Sequence, residues 1–84
     1  MKIDYERLSR EAEQKRRPIF LWSQSYSLYI HPNAIVAKSN YRSMDAEFGH
    51  RIAQAASMTD YAVAQHNGMV CVLDTGKVLR REHD

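Results

Sequence analysis

Asn67-Gly68 stands between two extended runs, Tyr61 to His66 and Met69 to Leu73, and no other stretch limits the fold as tightly. Both residues enter left-handed backbone at low cost, so the pair closes a type I′ turn whose twist matches two antiparallel strands. An isolated hairpin is marginal in water, so the rest of the chain must supply further strands or a helix to cover it. Met69-Val70-Cys71-Val72-Leu73 is apolar at every position, which predicts a central strand. Ile19-Phe20-Leu21-Trp22 is likewise apolar on both faces of a strand.

The remaining elements follow from period and punctuation. Residues 4–17 read as a helix, with Asp4 as N-cap, Leu8 and Ala12 on a narrow apolar stripe, and Pro18 as the stop. Glu6–Arg10, Arg7–Glu11 and Glu11–Lys15 are i,i+4 charge pairs along it. Ser23-Gln24-Ser25 is a turn. Tyr26, Leu28 and Ile30 alternate with Ser27, Tyr29 and His31 as in a half-buried strand, and His31-Pro32-Asn33-Ala34 turns into a third strand at Ile35-Val36-Ala37. Residues 43–57 read as the main core helix: Ser43 is placed to cap it, and Met44, Phe48, Ile52, Ala55 and Ala56 recur at helical spacing. Gly49 and Ala53 let that helix approach a sheet closely. Asp74-Thr75-Gly76 reads as a tight turn into a last strand from Lys77 to Arg81.

These elements predict an α+β fold in a single domain over residues 1–84, with an αβββαβββ order. A mostly antiparallel sheet of five or six short strands carries both helices on one face. Residues 1–42 and 43–84 then share an αβββ plan, with negligible identity between them. Eighty-four residues bury a limited fraction of their surface, and one cysteine supplies neither a disulfide framework nor a zinc ligand set. With helices on one face and two strands apolar on both, the opposite face is left partly apolar, and such a patch on a small protein marks an interface.

Charge points the same way. The net charge is +2, with eight Lys/Arg against four acids in residues 1–42 and four against six in residues 43–84. That is a small basic excess for a nucleic-acid binder, whose affinity rests on phosphate neutralisation. No apolar run is long enough to span a membrane and no signal-peptide core is apparent, so a cytoplasmic protein with a reduced thiol is expected.

Residues 52–67 nevertheless resemble the helix-turn-helix of bacterial repressors. Ile52 and Ala53 fall at apolar and small positions of a first helix, Ser57 where a turn glycine is usual, and Val63 at the packing position of a second. The resemblance implies a DNA-binding transcriptional regulator, with Thr59 to His66 as the recognition helix. Nucleic acid therefore stands beside protein as a partner class.

Catalytic chemistry finds little footing. None of His31, His50, His66 and His83 has a second ligand or nucleophile at useful spacing, Cys71 sits between valines, and no serine lies in a nucleophile elbow. No catalytic, cofactor-binding or metal residue is assigned, and no cofactor or small-molecule substrate is expected. The expected function is that of a small non-enzymatic interaction protein, a regulator or inhibitor of bacterial or phage type, which binds a partner protein or itself as a homodimer. Its candidate contact residues are Arg17, Trp22, Tyr26, Tyr29, Tyr41 and Arg42, since Trp, Tyr and Arg dominate interface hot spots.

Overall fold

The computed structural model describes residues 2–41 and 44–83, with side chains to residue 79. Eight elements follow in the order α1 (Tyr5–Lys15), β1 (Ile19–Trp22), β2 (Tyr26–His31), β3 (Ala34–Ser39), α2 (Ala46–Ala55), β4 (Tyr61–His66), β5 (Met69–Asp74) and α3 (Thr75–His83). The class is α+β, and the five strands form one antiparallel sheet in the order β1-β2-β3-β5-β4.

Local chemistry accounts for most boundaries. The Asp4 carboxylate accepts from the Arg7 amide at 3.2 Å and opens α1. At the other end Arg16 turns left-handed (φ 53°), and the Arg17 amide donates to the Ala12 carbonyl at 3.2 Å before Pro18 ends the helix. On its solvent side Glu11 pairs with Lys15 at 2.7 Å and Arg7 at 3.7 Å, and the Lys15 hydrogen bond holds the Glu11 carboxyl below its ordinary pKa. Asn67 and Gly68 have φ of 47° and 76°, the two positive values that a type I′ turn requires.

Two boundaries and one element differ from expectation. Ser43 lies outside the described residues, and the cap of α2 is Asp45, which accepts from the Phe48 amide at 3.0 Å. The segment expected as a last strand, Lys77 to Arg81, is helical. Asp74-Thr75-Gly76 is a helix start: the Asp74 carboxylate accepts from the Lys77 amide at 2.9 Å, and the Thr75 amide and hydroxyl bond Asp60. A capped run rich in Lys, Leu, Arg and Glu then favours helix over strand despite Val78. The second half therefore runs αββα, and the αβββ plan occurs once.

The helix-turn-helix is not formed either. Residues 61–66, which would be its recognition helix, are strand β4, paired with β5 from Tyr61↔Asp74 to His66↔Met69. The hairpin signal of Asn67-Gly68 outweighs the helical spacing before it.

The core lies between the sheet and α1 with α2. Leu28, Ile30, Ile35, Ala37, Val70 and Val72 meet Tyr5, Leu8, Ala12, Ile52 and Ala53 there. Tyr5 is 2% exposed; its hydroxyl donates to the Pro32 carbonyl at 3.5 Å, and Lys77 Nζ sits 5.5 Å from its ring centre. Burial is the main reason its pKa is pushed up to about 12. The native state thus resists releasing this proton, whereas the unfolded chain releases it near pH 10. Stability is thus unaffected by this group below pH 10 and falls by about 2–3 kcal/mol as pH rises from 10 to about 12. Tyr5→Phe is expected to cost little at neutral pH and to be more resistant than wild type above pH 11 in alkaline denaturation followed by circular dichroism. Parallel alkaline curves would contradict this assignment.

Candidate functional site: the uncovered face of the sheet

Strand register sorts the sheet residues into two faces, because side chains alternate along every strand. The residues that share parity with Ile30, Ile35 and Val72 point to the helices. Those of the opposite parity form rows across the other face. One row runs through all five strands, Phe20–Tyr29–Val36–Cys71–Ala64. Beside it lies Trp22–Ser27–Lys38–Met69–His66, and on the other side His31–Ala34–Leu73–Ala62.

Both α1 and α2 pack on the opposite face, and the residues of this face are exposed or half-buried except Ser27, which is buried and whose hydroxyl donates to Asn40 Oδ1. Trp22 is 67% exposed, Phe20 53%, Met69 39% and Leu73 37%. Phe20 and Tyr29 meet at 5.2 Å between ring centres with a tilt of 54°, an aromatic pair at the β1 edge. A shallow depression of about 270 Å³ lies between Val36, Ala64, His66, Met69 and Cys71. Burial raises the Cys71 thiol above its ordinary pKa, which keeps it a neutral, apolar part of the surface. The five strands hold a single carboxylate, Asp74, which shares the helix-side parity of Val72 and caps α3. Lys38 is the one Lys or Arg on the open face, and its position next to the last residue of β3 lets its stem reach the rim.

The expected contact residues separate on this map. Trp22 and Tyr29 lie on the open face. Tyr41, 76% exposed, sits just beyond β3, where the Asn40 amide donates to the Ser23 and Gln24 carbonyls and ties its segment to the β1–β2 turn. Arg17 is exposed in the connection between α1 and β1. Tyr26 is the exception: it has the parity of Leu28 and packs edge-on against Phe48 at 5.4 Å, so it belongs to the helix side. Arg42 lies outside the described residues. Phe20, Met69 and Leu73 are the face residues that hot-spot reasoning from residue type left out, although the two-faced apolar runs that contain them were the signal.

Two histidines have local partners, whereas the buried Asn33 Oδ1 has none. His50 Nδ1 lies 3.1 Å from the Tyr61 hydroxyl, and His66 Nε2 lies 3.0 Å from the Asn67 amide. No group of three or more His, Cys, Asp or Glu among the described residues could hold a metal ion. No helix among them is long and apolar enough to cross a membrane. Compared with protein-family models, curated proteins and solved structures, the chain matches none.

Proposed function

We propose that this chain is a small non-enzymatic interaction protein that acts by laying the open face of its sheet against a protein surface, as a regulator or inhibitor of a larger assembly. The supporting observation is the row of mostly apolar side chains, Phe20 to Ala64, that crosses every strand on the face opposite α1 and α2. A soluble monomer rarely carries a broad apolar patch without a use for it, and aromatic and Met side chains are the residues that interfaces favour. One Lys and no carboxylate across the face fit a largely apolar contact better than a phosphate backbone, which calls for several cations. A cytoplasmic setting, where Cys71 stays reduced, suits this role.

Affinity capture from host lysate with tagged protein, with and without nuclease, tests the partner class. The expected result is a protein that is retained after nuclease treatment and lost when the open face is altered. Capture that disappears with nuclease and survives alteration of the face would contradict the proposal.

A further inference from the structure

Taking the open face as an interface, and resting on that reading, we propose that, until a partner surface displaces it, its occupant is a second copy of this chain, stacked face to face about a two-fold axis parallel to the strands and passing over β3. The size pattern of the face points to this axis. In the row that crosses all five strands the large side chains stand toward β1, Phe20 and Tyr29, and the small ones toward β4, Cys71 and Ala64, while the flanking rows carry Met69, Leu73 and His66 on that side. Because β3 is the middle strand, a two-fold axis along it lays β1 of one copy over β4 of the other and β2 over β5. Each row then meets itself reversed. Phe20 lies over Ala64 of the second copy, Tyr29 over Cys71, and Val36 over Val36, so bulk faces space at both ends of this row; in the flanking rows Ser27 lies over Met69, Trp22 over His66 and His31 over Leu73. An axis perpendicular to the strands would set Phe20 on Phe20 and Ala64 on Ala64, crowding one end of this row and leaving its other end hollow.

Area and charge fit the same occupant. Five strands at ~4.8 Å spacing and three rows at ~6.7 Å give a face of roughly 500 Å², hence about 1,000 Å² over two copies. That is near the lower limit for a specific interface and predicts a reversible, concentration-dependent dimer. Phosphate chains or strongly charged partners find one ammonium here, whereas two nearly neutral faces suit each other. The arrangement has one cost: Lys38, on the middle strand, approaches Lys38 of the second copy. Relief of that repulsion is a signature of this axis, since the perpendicular axis would place Lys38 over Ala34.

Mixing two single-cysteine variants tests the geometry. Phe20→Cys and Ala64→Cys, each combined with Cys71→Ser to remove the natural thiol, are treated with a short bifunctional thiol reagent at concentrations that span the dimerisation. Both sites are exposed in the monomer, so folding is not at stake. The expected product is a cross-linked dimer from the mixture, at least fivefold more than from either variant alone. Lys38→Met is expected to lower the dimer dissociation constant severalfold, and added salt to lower that of wild type. Phe20→Cys linking to itself as well as to Ala64→Cys would overturn the axis. Sedimentation as a monomer at every concentration would overturn self-association; the broader interface reading then stands if Phe20→Glu still abolishes capture of a different protein, and falls if it does not.

Discussion

Phe20→Glu is expected to weaken binding through the open face at least thirtyfold while leaving the fold intact. Phe20 is 53% exposed and its ring contact is Tyr29, so a charged side chain here can point to water in the free protein at little cost. In a complex the same carboxylate would be trapped between apolar surfaces, and the aromatic contact would be gone. Losing an aromatic anchor costs about 2 kcal/mol or more, and desolvating the carboxylate adds to it. Gln14→Glu adds the same charge on the solvent side of α1 and should change binding little. Isothermal titration or analytical ultracentrifugation reads the difference, with circular dichroism to show that both variants fold. Equal losses from the two variants would contradict the assignment of the face.

Gly49→Ala should lower stability markedly although it adds a single methyl group. Gly49 is where α2 rides closest to the sheet: a Cβ there would lie 2.6 Å from a Val63 methyl on β4 and 2.6 Å from a Val70 methyl on β5. Both neighbours are β-branched and stiff, so the helix must lift or the strands must spread. Such overpacking costs roughly 3 kcal/mol, against a gain of about 1 kcal/mol in helix propensity. A net loss near 2 kcal/mol is a large fraction of the stability of a chain this size and lowers Tm by roughly 10 °C. Thermal unfolding checks it. A variant as stable as wild type would show that α2 does not approach β4 and β5 this closely.

Much of this architecture is readable from local signals. Asn67-Gly68 places the β4–β5 hairpin, Asp4 and Pro18 bound α1, and the two-faced apolar runs at Ile19–Trp22 and Met69–Leu73 announce an uncovered sheet face. Signals that serve two structures are where reading fails. Asp-Thr-Gly is as good a turn as it is a helix start, and only the bonds of Thr75 to Asp60 and of Lys77 to Asp74 decide for α3. Ile52, Ser57 and Val63 mimic a helix-turn-helix because their spacing suits one, whereas the pairing of β4 with β5 is non-local to α2. Strand order is also hidden: β3 pairs with β5 across α2 and β4, so the row from Phe20 to Ala64 emerges only once register is known. Tyr26 is legible as well, since the alternation that buries Leu28 and Ile30 carries it to the helix side, where its residue type alone does not place it.

Trp22 is the chain's one tryptophan and stands on the open face, 67% exposed, which makes it a built-in reporter of whether that face is used. Its fluorescence, followed with an aqueous quencher while the protein is taken from dilute solution into its associated state, tests the central claim most directly. The prediction is a water-like emission and full quenching in the dilute chain, then a blue shift and protection on association, both absent in Phe20→Glu. Association that leaves the emission and quenching of Trp22 unchanged would place the interface elsewhere and contradict the account.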